Sequence, residues 1–169
     1  MKFVTGWYVL YVRSRCERKV DEYLKDISIE SFAPHIKTIR QWSDRKKMVL
    51  KPLFPSYVFV NVKTSLEFHQ ALSAFGACAY ISFGDTYARV SEKEIHQIKL
   101  LIGDSNIVDF EVTPQLPKVG DMKKITYGPL RGLHCKIVRA NNMNKIIVNV
   151  ESLQQNITVT TPVHYLEEV

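Results

Sequence analysis

Pro52-Leu53-Phe54-Pro55-Ser56-Tyr57-Val58-Phe59-Val60 stands near the middle of the 169-residue chain. Its two close prolines end one extended segment, and Ser56 to Val62 then reads as a new strand. By the two-residue period of a strand, Tyr57, Phe59 and Asn61 share one face and Val58, Val60 and Val62 the other. Neither set turns fully polar before Asn61. Such a strand is either central and covered on both faces, or keeps one apolar face open for a partner.

Upstream of that segment, Met48-Val49-Leu50 pairs across a polar tip, Gln41-Trp42-Ser43-Asp44-Arg45-Lys46-Lys47, with an extended run from Ser31 to Thr38, which predicts a hairpin with a strongly basic loop. Further back, Trp7-Tyr8-Val9-Leu10-Tyr11-Val12 is aromatic and β-branched and reads as a largely buried strand. After Arg13 to Arg15 a helix is expected from about Cys16 to Lys25. Val20, Tyr23, Leu24 and Ile27 recur there at helical spacing, and Glu17, Arg18, Lys19, Asp21 and Glu22 make a wet face. Downstream, Leu66 to Phe75 reads as a helix, Ala79 to Phe83 as a strand and Tyr87 to Val90 as a short extension. Ser91 with Glu94 has the form of a capping box, opening a helix through Ile95, Ile98, Leu101 and Ile102 that ends at Gly103. The order β-α-β-β-β-α-β-α predicts an α+β fold with an antiparallel sheet flanked by helices.

Asp104 to Pro117 carries Pro114 and Pro117 and no sustained periodicity, and reads as a linker. Beyond it come short β-type runs at Met122–Thr126, His134–Val138, Lys145–Val150 and Asn156–Thr160, separated by turn signals. Several short strands in so few residues predict a small all-β barrel. The domain boundaries are thus 1–103, 104–117 and 118–169.

A formal net charge of +6 and a pI near 9.2 favour acidic partners such as nucleic acid. The apolar runs are too short to span a bilayer, so no membrane association is expected. The N-terminal residues lack the apolar stretch of a signal peptide, which points to the cytoplasm. Cys16, Cys78 and Cys135 lie too far apart for a disulfide framework or a CxxC metal site, and His35, His69, His96, His134 and His164 are isolated from one another and from cysteine. No nucleophile elbow, Walker loop or dinucleotide fingerprint is present. The chain reads as non-enzymatic, with no metal and no cofactor.

Two basic clusters flank the predicted sheet. Arg13, Arg15, Arg18, Lys19 and Lys25 sit on the first strand-to-helix turn and its helix; Lys37, Arg40, Arg45, Lys46, Lys47 and Lys51 run along the hairpin, with Trp42 among them. Cations track phosphates, and an exposed aromatic stacks on a base.

Taken together, the opening Trp7–Arg13 string, the Pro52–Val60 string and Ala79-Tyr80-Ile81-Ser82-Phe83-Gly84 resemble the N-terminal (NGN) domain of NusG-like transcription factors, collinearly over about residues 5 to 102. Lys118-Val119-Gly120-Asp121 and Gly128-Pro129-Leu130-Arg131-Gly132 are similar, more loosely, to the KOW-type, SH3-like barrel of that family. Leu53 and Ser56 favour its specialised antiterminators of the RfaH and UpxY type. The resemblance implies a monomeric elongation and antitermination factor acting on operons for capsule or surface polysaccharide. It implies that bacterial RNA polymerase is bound at its clamp helices by Tyr57 and Phe59, with Tyr11 and Phe54 beside them. The opposite lobe of the polymerase would meet Phe68 and His69. It further implies that Arg13, Lys19 and Tyr23, beside Arg15, touch the non-template DNA strand, and that the barrel takes RNA or a ribosomal protein. Read from their residues alone, Tyr57, Phe59 and Phe54 are core residues. An RNA-binding or ribosome-associated KOW protein, using Lys118, Lys123, Lys124, Arg131, Lys136, Arg139 and Lys145, is the competing reading.

Overall fold

Strand β1 (Gly6–Val12) is apolar along nearly its whole length because it runs through the middle of a sheet with side chains packed on both faces. The computed structural model describes residues 3–114, 122–125, 134–140, 143–150, 153, 155–162 and 166–168. The chain divides into two compact units, Met1–Glu92 and Lys93–Val169.

In the first unit β1 is followed by α1 (Glu17–Asp26), β2 (Glu30–Phe32), β3 (His35–Gln41), β4 (Lys46–Pro52), β5 (Tyr57–Val62), α2 (Ser65–Ala71), β6 (Ala77–Tyr80), β7 (Ser82–Phe83), β8 (Thr86–Tyr87) and β9 (Arg89–Val90). The main sheet runs β2-β5-β1-β6, with β9 also pairing β1, and every pairing is antiparallel. On one face Tyr8, Leu10 and Val12 of β1 join Val58, Val60 and Val62 of β5 against Val20 and Leu24 of α1 and Ala71 of α2. Opposite them lie Trp7, Val9 and Phe59, also buried. Of the two alternatives for the Ser56–Val62 strand, the structure takes the covered one for all but Tyr57 and Asn61.

Helix α1 follows the expected span but turns a different stripe inward. Glu17, Val20 and Leu24 are buried, whereas Tyr23 and Ile27 are exposed. Glu17 belongs to the wet face by composition; it is drawn in because its carboxylate finds a backbone donor. Helix α2 stops at Ala71, short of the expected Phe75. Thr64 Oγ1 caps its start by accepting from Glu67 N, and Ser73 Oγ donates to Gln70 O at its end. The expected run from Ser31 to Thr38 is two strands, because Ala33-Pro34 interrupts it: Pro34 has no N–H for a ladder.

In the second unit α3 (Glu92–Gly103) buries Ile95, Ile98 and Leu101. Its first residue closes the first unit: Glu92 Oε1 accepts from Trp7 Nε1 at 2.9 Å. The two units thus divide just after the first residue of α3. Strands β10 (Val108–Pro114), β11 (Met122–Ile125), β12 (His134–Ala140), β13 (Met143–Val150), β14 (Gln155–Pro162) and β15 (Leu166–Glu168) follow. They form one six-stranded antiparallel sheet in the order β10-β14-β13-β12-β11-β15. Ile157 and Val159 of β14 are buried, as is Leu153.

Within 104–117, expected as a linker, Val108–Pro114 is strand β10. Its pairing with β14 shifts register between Val108 and Glu111, and Asp109 sits at φ +56°. A bulge of this kind breaks the two-residue alternation, so the strand has no periodic signature. Residues 115–117, and the segments Lys118–Asp121 and Gly128–Gly132 on which the KOW resemblance rests, lie outside the described residues.

Candidate functional site

Tyr11 and Tyr57 stand directly opposite each other on β1 and β5. Tyr11 is 45% exposed and Tyr57 half-buried. The next pair on the same face, Val9 and Phe59, is fully buried. Beyond it Trp7 is buried and Asn61 half-buried, so the aromatic part of the face opens at its end beside the β1–α1 turn. Phe59 stacks on Phe32 at 6.1 Å and meets the edge of Phe54 at 5.7 Å. Phe54, like Phe59, is buried, so these two expected contact residues are core in this structure and form the floor behind Tyr57.

A tight turn positions Tyr57. Its N–H donates to Phe54 O at 3.1 Å, with Pro55 and Ser56 between, and Ser56 at φ +66°. Proline first and a positive φ second is the geometry of a type II turn, which ordinarily favours Gly in the second place. Ser56 is held there from both sides: its N–H donates to Glu17 Oε1 at 2.8 Å, and its carbonyl accepts from Val12 N at 2.8 Å. Glu17 thus locks the β4–β5 connection to the start of α1, and with it the relative placement of Tyr57 and the β1–α1 turn.

That turn carries Arg13, Ser14 and Arg15, all exposed, with Arg15 at φ +67°. Arg13 N donates to Gly76 O at 2.8 Å. Gly76 itself has φ +98°, and a Cβ there would stand 2.8 Å from Cys16 Cβ, so only glycine fits this approach of the α2–β6 connection. On α1, Arg18 pairs with Glu22 at 3.3 Å and Lys25 with Asp21 at 2.7 Å. Arg13, Arg15 and Lys19 have no ion pair among the described residues, so of the cations on this turn and α1 they are the ones able to meet an outside anion. Tyr23 lies one turn beyond Lys19 on the same helix face, and its hydroxyl is 3.4 Å from Ser73 Oγ. Ser73, fifty residues away in sequence, carried no signal in the pattern, since only the fold brings it to Tyr23.

Phe68 and His69 separate in the structure. Phe68 stacks on Tyr80 at 4.1 Å and touches Tyr8, Tyr87 and Phe3, so it is a packing residue. Tyr80 donates its hydroxyl to Phe68 O at 2.7 Å; burial first, then the neighbouring Tyr8 and Tyr87, hold that hydroxyl well above its usual pKa, so it stays a neutral donor. His69, by contrast, is exposed. Cys16 is half-buried and Cys78 exposed, both as free thiols. Among the described residues no three His, Cys, Asp or Glu side chains group as metal ligands, and no helix is long and apolar enough to cross a membrane.

Residues 5–99, more than half of the chain, match the family model for NusG, described as transcription termination factor NusG. A solved structure reported for domain interaction in Thermotoga maritima NusG superposes with a TM-score of 0.58 at 23% identity, covering 98% of each chain. A chain from a crystal structure of an MjSpt4:Spt5 complex is 13% identical over 96% of this chain and 97% of that one, with a TM-score of 0.33. The chain belongs to the NusG family. It is thus a transcription factor of a non-enzymatic family, and its α+β fold is shared with the T. maritima protein.

Proposed function

We propose that this protein is an elongation and antitermination factor that docks on bacterial RNA polymerase through the open end of the β1–β5 face. Tyr11 and Tyr57 make the contact, over the packed floor of Phe54 and Phe59. The observation that carries this reading is the pairing of exposed Tyr11 with half-buried Tyr57 beside a turn whose cations have no ion pair among the described residues, on a domain of a transcription-factor family. The polymerase-binding domain is residues 1–103, in keeping with a family match that runs into α3. His69 is the exposed candidate for a contact with the opposite polymerase lobe.

Binding that favours the elongating state over the paused one suffices for the activity, because a ligand shifts a two-state equilibrium by its differential affinity alone. Beside the tyrosine pair, Arg13, Arg15 and Lys19 give phosphate affinity for the non-template strand, and Tyr23 stacks on a base. The six-stranded sheet of the second unit is a KOW-type barrel that takes RNA or a ribosomal protein. The factor works as a monomer in the cytoplasm and is specific to operons for capsule or surface polysaccharide.

The test is Tyr57→Asp in the full chain, assayed for co-purification with RNA polymerase. Binding should fall at least about tenfold while the melting temperature holds, since a charge placed in a desolvated anchor removes most of its contribution. A folded Tyr57→Asp protein that binds polymerase like the wild type overturns the docking assignment. Arg13→Ala/Lys19→Ala should weaken recruitment to a bubble scaffold at low salt; unchanged recruitment there overturns the DNA assignment.

A further inference from the structure

The β3–β4 ribbon contributes a two-stranded sheet of its own, paired from His35↔Pro52 to Gln41↔Lys46 and, among the described residues, joined to no other sheet. It holds six lysines and arginines (Lys37, Arg40, Arg45, Lys46, Lys47, Lys51) against one acid, Asp44. The whole chain carries a net +6, so nearly all of its excess charge sits on this ribbon and the remainder is close to balanced. None of the six forms an ion pair among the described residues.

Two features of the ribbon run against its own stability. Arg40 stands directly opposite Lys47, a like-charge pair that destabilises a ladder. On the other face Ile39, 67% exposed, stands opposite Met48, 60% exposed, with Leu50 exposed beside them. A solvated ornament would need neither. An anion between Arg40 and Lys47, together with apolar groups over Ile39 and Met48, relieves both.

We propose that this ribbon is a sequence-independent binding arm for B-form DNA duplex, separate from the cations of the β1–α1 turn. Phosphates meet Arg40, Lys47 and Lys51 on one face and Lys37 and Lys46 on the other, while Ile39, Met48 and Leu50 lie against thymine methyls and deoxyribose. A two-stranded ribbon fits the major groove of B-DNA, about 12 Å wide. The deep, narrow major groove of an RNA duplex does not admit it. Single strands are gripped by rows of stacking aromatics; the ribbon has only Trp42, whose ring already lies 5.7 Å from the Arg45 guanidinium.

The experiment uses the full chain and a labelled 20-base-pair duplex of arbitrary sequence, read by fluorescence anisotropy from about 50 to 200 mM salt. Polymerase is absent, so its outcome stands apart from the docking assignment. Arg40→Gln/Lys47→Gln should weaken binding about five- to tenfold at the low-salt end and make the log–log salt slope shallower by about two, because each phosphate contact contributes roughly 0.9 to it. Lys63→Gln/Lys93→Gln, which removes the same charge elsewhere, should change affinity less than about twofold by the same relation. The charge-keeping exchange Arg40→Lys/Lys47→Arg should retain the wild-type slope, which separates charge from fold. Equal losses in the two Gln variants, no duplex binding by the wild type, or tighter binding of RNA duplex, single strand or an acidic protein each overturns the proposal.

Discussion

The β2-β5-β1-β6 sheet and the β3–β4 ribbon both set β-branched and other apolar residues in antiparallel pairs, yet they treat them in opposite ways. In the sheet, Val9, Leu10, Val58, Phe59 and Val60 are wholly buried, and in the two central strands Gly6, Tyr11, Tyr57 and Asn61 keep contact with solvent. Along the ribbon, Ile39, Met48 and Leu50 are left in water among cations. An isolated two-stranded ribbon is marginal by itself, and this one is anchored at its base, where Ile36 is buried and Leu53 N donates to Pro34 O. The difference teaches where to look for stability and where for function. The sheet holds the first unit together and offers a partner one edge of one face; the ribbon adds little to the fold and offers nearly all of its surface.

The sharpest challenge to this contrast is Phe59→Ala. Emptying a fully buried site beneath Phe32 and Phe54 should destabilise the fold by about 3–5 kcal/mol, and chemical denaturation that showed less than about 1 kcal/mol would mean the face is not packed. Next comes Gly76→Ala. A Cβ in a left-handed conformation, pressed against the Cys16 Cβ, should cost about 1–3 kcal/mol. It should also disturb the Arg13 turn, seen as amide shifts centred on Arg13 and Cys16. Glu17→Ala leaves the half-buried Ser56 N–H without its carboxylate partner and should lower stability by about 1–2 kcal/mol. If the sheet's open end depends on that lock, polymerase affinity falls with it even though Tyr57 is untouched. At the small end, Ile39→Ala on the ribbon should stay within about 0.5 kcal/mol of wild type. A loss comparable to that of Phe59→Ala would show the ribbon to be part of the core and break the comparison.

Legibility varied with how local the cause was. Strand β1, helix α3 and the hairpin could be read from residues 7–12, 91–103 and 35–52 because their period, caps and breaks lie within a few neighbouring residues. The bulged β10 was missed because Asp109 interrupts the alternation that would have announced it. Within the site, Arg13, Arg15, Lys19 and Tyr23 were legible as an exposed basic turn and helix. Phe54 and Phe59 were not separable from Tyr57, since one apolar string holds all three and only the depth of packing distinguishes them.

By itself the sequence determined the α+β class, the strands and helices whose apolar period is unbroken, the concentration of positive charge in 35–52 and the family to which the chain belongs. These follow from side-chain chemistry and spacing, which are local properties. Tertiary structure alone decided that Glu17 turns inward to hold Ser56, that Gly76 admits Arg13, that Ser73 meets Tyr23, and that Tyr11 and Tyr57 remain open while Phe59 closes. Each of these depends on segments tens of residues apart reaching one place, where a few tenths of an ångström decide whether a side chain is surface or core.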